Sequence, residues 1–356
     1  MNTTEHQFSW LKLIDRPAFC VKGGNVVSVN SAAGKYMISV GTDITNVVGA
    51  HLQEYESFTD GCLYLPINIE GILVNASVTR TSECDIFVIN QDTECSELQA
   101  LALAAQQLRI PLSNMMTVTD RLSGELSTNN RTALQAGQLR KNLFQIMRII
   151  SNMSDAGTYA SLSASDMETV NLVAVVDEVM EKIQAVSEST GITIEYSSIR
   201  DSVFGLANTE RLERAIYNLL SNALKFSTKG TTITVVLAHN GDKLSLTVCN
   251  THSQTDDTHI YWKRYLRMPA IEDSRYGLGL GMTLISSVAA SHGGTVLIDH
   301  PSDTQTRVTM TITITKSTGT TVRSNVLRIG GYAGGRDKGL LEFAEILASD
   351  AYKKIN

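Results

Sequence analysis

The sequence has no Cys-x-x-Cys pair, no block of like charge, and no run near the ~18 consecutive apolar residues that a bilayer span needs. Its five cysteines, Cys20, Cys62, Cys84, Cys95 and Cys249, have no histidine nearby in a zinc-ligand spacing, so reduced thiols are expected. Four of them precede residue 96, which leaves a redox or metal input there open beside the plainer role of small core residues. Thirty basic against thirty-six acidic residues give a net charge of −6, spread along the chain, which argues against nucleic-acid or anionic-lipid partners. The opening Met1-Asn2-Thr3-Thr4-Glu5-His6 lacks the basic and apolar regions of a signal peptide, so a soluble cytoplasmic protein without a membrane partner is expected. What is present is a globular balance, 43% apolar and 19% charged over 356 residues, which excludes general disorder and allows two or three domains.

The periodicities predict an α+β chain in four parts. In residues 1–92, Ala18-Phe19-Cys20-Val21, the turn Gly23-Gly24 and Val26-Val27-Ser28-Val29 form a hairpin pattern, with later strands at 72–78 and 85–89. From Glu97 the period changes: Leu98, Leu101, Ala105, Leu108, Leu112, Met115, Thr119 and Leu122 alternate spacings of three and four on one helical stripe. Leu139, Leu143, Ile146, Ile150 and Met153 repeat it, and the polar stretch between Ser123 and Asn130 reverses the chain. Residues 93–163 therefore predict an antiparallel helical hairpin with apolar surface left over, which a homodimeric four-helix bundle would bury. Residues 164–316 mix two long helical patterns with strands at 231–237, 244–248, 295–298 and 307–314, an α/β sandwich. The tail, 317–356, carries Gly330, Gly331, Gly334, Gly335 and Gly339 ahead of Leu340–Leu347 and reads as a tether with a short amphipathic helix, docked on its own domain or on a partner.

Chemistry concentrates in the third part. Glu213 to Lys225 reads ERAIYNLLSNALK, placing Asn218, Asn222 and Lys225 on one helical face, a plausible seat for a metal-phosphate group. Leu219, Leu220, Ala223 and Leu224 supply the core face separately. Tyr276-Gly277-Leu278-Gly279-Leu280-Gly281 precedes a helical stretch whose N-terminus offers unpaired N–H groups to phosphate, and Ser291-His292-Gly293-Gly294-Thr295 turns into a strand. His252 and His259 flank Asp256 and Asp257, but at no helical ligand spacing, and a polar lid accounts for them better than a metal site.

Together these segments resemble the GHKL ATPase domain of sensor histidine kinases. NLLSNALKF matches the N box, YGLGLG the second glycine box, HGGTV the turn after it, and Ile260 to Arg267 the aromatic-basic segment between them. Leu108-Arg109-Ile110-Pro111-Leu112 is similar to the LRTPL run of the kinase dimerisation helix, with Pro111 expected to kink it. Pro17-Ala18-Phe19-Cys20-Val21, with Val29-Asn30 and Ala32-Ala33, resembles the opening of a PAS sensor domain, for which no ligand is implied and a ligand-free dimerisation module stays open. The resemblance implies ATP with Mg2+ held by Asn218, Asn222, Lys225, Asn250 and the Gly277-Leu278-Gly279-Leu280 run, a homodimer, and a response regulator or partner kinase as the protein partner.

The sequence departs from that family where the phosphoryl group should land. The histidine position two before Leu108 is Gln106, and the acidic position after it is Gln107. A carboxamide nitrogen has a delocalised lone pair and is no phosphoryl nucleophile. None of the seven histidines lies on the hairpin, so autophosphorylation of the usual kind is excluded unless another residue type accepts. The Asp that should accept from the adenine amino group is Asn250, its two following glycines are His252 and Gln254, and the first glycine of the second box is Arg275. The expectation is a histidine-kinase-like pseudokinase that signals by conformation, with weak or no ATP binding. The alternative is an ATP-dependent kinase that phosphorylates Ser or Thr, such as Ser113 or Thr117, or a partner's histidine in trans.

Overall fold

The computed structural model describes residues 8–90, 93–125, 130–159, 167–187, 189–199, 201–253, 280–315 and 336–352. The N-terminal unit has strands β1 (Ala18–Lys22), β2 (Asn25–Val29), β3 (Cys62–Ile69), β4 (Ile72–Arg80) and β5 (Asp85–Ile89), with short helices α1 (Ile44–Val48) and α2 (Leu52–Ser57) packed beside them. Alternation sets the faces: Phe19, Val21, Leu63, Leu65, Val78, Phe87 and Ile89 join one core, while Ala18, Cys20, Cys84, Ile86 and Val88 form a second behind Phe8 and Leu11. The expected β1–β2 hairpin and the strands near 72–78 and 85–89 are present. Cys20, Cys62 and Cys84 are buried free thiols and Cys249 is a half-buried one.

Two long antiparallel helices follow, α3 (Thr93–Glu125), which runs through Pro111, and α4 (Asn130–Tyr159). The single stripe expected on α3 divides into two rows seven residues apart. Ala105, Leu112 and Thr119 are buried against α4, while Leu108, Met115 and Leu122 are about half exposed. On α4, Leu143 and Ile150 go inward while Leu139 and Ile146 stay out. Alternating steps of three and four make two adjacent seams, and one neighbouring helix fills only one of them.

The third unit contains β6 (Glu168–Asn171), α5 (Leu172–Ser187), β7 (Thr193–Ser197), β8 (Phe204–Ala207), α6 (Thr209–Phe226), β9 (Thr232–Asn240), β10 (Lys243–Thr251), α7 (Leu280–Ser291), β11 (Val296–Ser302) and β12 (Gln305–Thr313). The helices cover one face of the sheet, whose inward residues are Ile233, Val235, Leu237, Leu244, Leu246, Val248, Met310 and Ile312. This is an α+β fold with an α/β sandwich, as the sequence predicts.

One feature has no sequence counterpart, and of the two placements open for the tail the structure shows docking on the chain itself. The sheets of the first and third units join: β3 pairs with β11 through Val296↔Tyr64, Leu297↔Leu63 and Ile298↔Cys62, giving one ten-stranded order β2-β1-β5-β4-β3-β11-β12-β10-β9-β7. Residues 336–352 dock against α4, α5 and α6. The amphipathic helix expected over Leu340–Leu347 is replaced by a five-residue helix α8 (Lys338–Glu342) and a series of turns. A longer helix would present a polar face to solvent, whereas Leu341, Glu342, Phe343, Ala344 and Leu347 are all buried, and turns let consecutive side chains reach opposite walls.

Candidate functional site

Helix α6 organises the site. Asn208 caps it by accepting the Arg211 backbone N–H at 3.1 Å, Glu210 lies in the first turn and Lys225 in the last, each sign suited to the helix dipole. Leu212, Ala215, Ile216, Leu219, Leu220 and Ala223 fill the core and fix the helix's rotation. That rotation leaves Asn218, Asn222 and Lys225 on the side facing α7 and the tail.

Asn218 is buried, and its Nδ2 donates to the Arg214 carbonyl at 2.9 Å, leaving the side-chain oxygen toward α7. A Cβ built on Gly281 would lie 3.4 Å from Asn218 Oδ1 and 3.8 Å from Asn222 Nδ2, so the first turn of α7 rests on both amides. Glycine at 281 keeps that approach close, a role distinct from positive-φ freedom. The structure thus brings Asn218, Asn222 and the start of α7 together. Leu280 begins that helix, while Gly277, Leu278, Gly279, Arg275, His259, the metal-suggestive aspartates 256 and 257 and the aromatic-basic segment lie outside the described residues. Among the described residues no group of three or more His, Cys, Asp or Glu could hold a metal.

Asn250 closes β10 with its side chain on the helix-facing side of the sheet, and its Nδ2 is buried with no hydrogen-bond partner among the described residues. An orphaned buried donor costs about 1–3 kcal/mol and calls for an acceptor outside the described residues. Lys225 is already engaged: its ammonium sits 2.8 Å from Glu345 Oε2 in the tail. The residue set therefore fits a magnesium nucleotide in part. Asn218 and Asn222, expected toward the phosphates, are brought together, but Lys225 beside them is ion-paired, and Asn250, expected toward the base, is an amide in place of a carboxylate.

On the hairpin, Gln106, Gln107 and Pro111 are exposed on α3, and Arg109 reaches Ser151 Oγ of α4 at 3.4 Å. Ser113 is half-buried, and the exposed Thr117 donates its hydroxyl to the Ser113 carbonyl at 3.0 Å. The hairpin and α6 meet through Arg148, whose Nη2 donates to Ser221 Oγ at 2.9 Å.

Sequence reasoning did not anticipate His292 as a tie between the turn after α7 and the start of α6. Its Nε2 accepts the Asn208 backbone N–H at 3.2 Å, and its Nδ1 lies 2.7 Å from the Val288 carbonyl, which fixes the Nδ1–H tautomer. Burial holds this imidazole below the ordinary histidine range, with the Arg211 charge adding to it against the Val288 hydrogen bond. His51 is lowered in the same way, by burial and then by Lys243. A base depressed in the folded state binds its proton preferentially when unfolded. Its stability contribution is whole above about pH 6.5 and is lost as pH falls. Each histidine is expected to cost up to about 1.4 kcal/mol per pH unit below that value. Urea midpoints at pH 7.5 and 5.0 test this, and His292→Gln should flatten the slope. Asp155, raised by burial, acts in the opposite sense, so the difference between variant and parent isolates the imidazole. An unchanged slope would show that His292 is not neutral in the folded chain.

Residues 207–316 match the family described as histidine kinase-, DNA gyrase B-, and HSP90-like ATPase. Among curated relatives, the probable sensor protein PcoS of Escherichia coli is 28% identical over 199 residues, 53% of this chain and 41% of that protein. The sensor histidine kinase YcbM of Bacillus subtilis is 24% identical over 265 residues, 71% of this chain and 84% of that one. Of PcoS and the Escherichia coli sensor histidine kinase CusS, the chain spans about two fifths. Full-length ShkA in complex with AMPPNP aligns with a TM-score of 0.48 at 18% identity, over 61% of this chain and 46% of that one. Among the described residues no helix is long and apolar enough to cross a membrane. Residues 207–316 thus belong to that ATPase family, and with sensor histidine kinases matching over about 200 residues or more, the chain is similar to sensor histidine kinases beyond its ATPase segment.

Proposed function

We propose that this chain is a two-component signalling protein that has given up phosphoryl acceptance and works by conformation and partner binding, with weak or no ATP affinity. The observation that carries the reading is Gln106, a carboxamide exposed on α3 where the kinase dimerisation helix would present its histidine. Asn250 and the neutralised Lys225 support weak nucleotide binding, since a neutral amide and a paired ammonium both give less to ATP than their charged, free counterparts. The half-exposed row Leu108, Met115 and Leu122, continued by Leu139 and Ile146, supports a homodimer through the hairpin, because a second copy presents the same row and closes a four-helix bundle. A response regulator or an intact kinase is the partner that such a bundle would address, and the N-terminal unit, in the place of a PAS-like sensor, would bias it.

The test is incubation of the full chain with radiolabelled ATP and magnesium, followed by acid and base treatment, beside calorimetry with a nonhydrolysable analogue. No incorporated label is expected. Acid-stable label on Ser113 or Thr117 would replace this reading with a hydroxyl kinase, and base-stable, acid-labile label on an added intact relative would replace it with phosphorylation in trans.

A further inference from the structure

In the tail, charge that belongs on a surface is instead buried. Glu342 has no exposed side-chain area, an unusual place for a carboxylate without built partners. It has two. Arg214 of α6 makes a close ion pair with Oε1, and Arg148 of α4 stands 3.5 Å from Oε2. Arg214 also holds Asp155 of α4 at 2.8 Å from Nε and 2.5 Å from Nη2, and Asn152 Oδ1 at 3.0 Å. Arg148 reaches on to Glu345 at 3.3 Å, and Glu345 reaches Lys225 at 2.8 Å. Three cations and three carboxylates thus alternate across the seam between hairpin and ATPase-like unit, with two of the carboxylates supplied by the tail.

Apolar and backbone contacts flank this row on both sides. Phe343 is wholly buried with its ring 6.0 Å from that of Tyr217 on α6, and Tyr352 is wholly buried 5.3 Å from Phe144 on α4. Gln145 donates to the Ala344 carbonyl at 3.2 Å, Arg140 donates to the Tyr352 carbonyl at 3.1 Å, and Lys338 pairs with Glu213. The groove between α4 and α6 is therefore shaped for an acidic segment with an aromatic residue beside the buried carboxylate.

We infer that residues 336–352 are an intramolecular latch that fastens the ATPase-like unit to the helical hairpin and masks Lys225 with the Glu345 carboxylate, so that a nucleotide's phosphate and the tail compete for one ammonium. The fastening stands on the contacts above. The competition rests in addition on the proposed nucleotide reading of Asn218, Asn222 and Lys225. An anion at Lys225 must first displace Glu345, whose other oxygen is held by Arg148, and the same displacement loosens the row that continues through Glu342 to Asp155. Nucleotide entry and domain release are thereby one event, with reciprocal coupling.

The experiment uses the full chain as wild type, Glu345→Gln and Glu345→Asp, with two readouts. Acetic anhydride footprinting by mass spectrometry measures Lys225 reactivity against exposed Lys229, and calorimetry with magnesium and AMPPNP measures nucleotide affinity. Lys225 in the wild type is expected to be at least about fivefold less reactive than Lys229, with Glu345→Gln removing most of that protection and tightening AMPPNP about fivefold, the size of one weakened ion pair. Glu345→Asp keeps the charge on a shorter stem and should fall between. Equal reactivity of Lys225 and Lys229 in the wild type overturns the latch. Release of Lys225 by Glu345→Gln, with AMPPNP bound by both forms at unchanged affinity, overturns the competition. Release with no AMPPNP bound by any form upholds the fastening and removes the nucleotide reading of the site.

Discussion

Glu342→Ala is expected to lower the unfolding free energy of the chain by about 3–5 kcal/mol, the range for removing one partner of a buried ion pair. The loss comes from what is stranded. Arg214, itself only about 1% exposed, keeps Asp155 and Asn152, but its Nη1 would face the space the carboxylate left, and Arg148 would lose its nearest buried anion. The lower half of the range is expected, because Asp155 still neutralises Arg214. Glu345→Ala is the contrast: about a third exposed, its ion pairs with Arg148 and Lys225 should be worth about 0–1 kcal/mol. Urea titration of both variants against wild type measures the difference. A Glu342→Ala effect below about 1 kcal/mol would mean that the carboxylate is hydrated in solution and that the tail is not seated between α4 and α6.

Gly61→Ala is the second large effect, and it should act on the junction between units. Gly61 has φ of +90°, and a Cβ there would stand 1.9 Å from the Ile298 carbonyl oxygen on β11. The left-handed conformation alone costs a substituted residue about 1–2 kcal/mol. Gly23 is a built-in control, with φ of +59° and open space around it, so Gly23→Ala should show only that backbone cost. At Gly61 the carbonyl cannot yield without breaking the β3–β11 ladder, so a total of about 3 kcal/mol or more is expected. The signature is a change in cooperativity: the N-terminal unit should unfold in a transition of its own, with protection from hydrogen exchange lost at residues 62–64 and 296–298. Equal effects of Gly61→Ala and Gly23→Ala would mean that the joined sheet does not persist in solution.

Much of this architecture is legible in the letters. The two hairpin helices, the first β-hairpin and the strands of the sandwich follow from periodicities of 3.5 and 2 that tertiary contacts did not override. The N-box residues were legible for a related reason: Asn218 and Asn222 flank Leu219 and Leu220 within the apolar half of an amphipathic helix, and an amide set among leucines signals a special environment. The junction of β3 with β11 was not legible, because a strand edge satisfies its hydrogen bonds with any compatible neighbour and neither sequence names the other. Glu342 was hidden for a different cause. Its partners Arg148 and Arg214 lie 194 and 128 residues earlier, and in a local window Leu341-Glu342-Phe343 is indistinguishable from a solvated helical turn. Nor did the helical stripe reveal that alternate members would face different neighbours.

The β3–β11 ladder has a mechanical consequence. The N-terminal unit leads into α3, α3 into α4, and α4 through Arg148 and the tail onto the third unit, whose β11 returns to the N-terminal unit. The monomer is thus a closed linkage, and a closed linkage has fewer free hinges than an open string of domains. Rotation at one joint must be matched at another, so an input at the N-terminal unit is felt at the hairpin from both ends at once. Large relative movement then requires one joint to open, and of the two non-covalent joints the one faced with partly exposed charge will part before the one zipped by backbone amides.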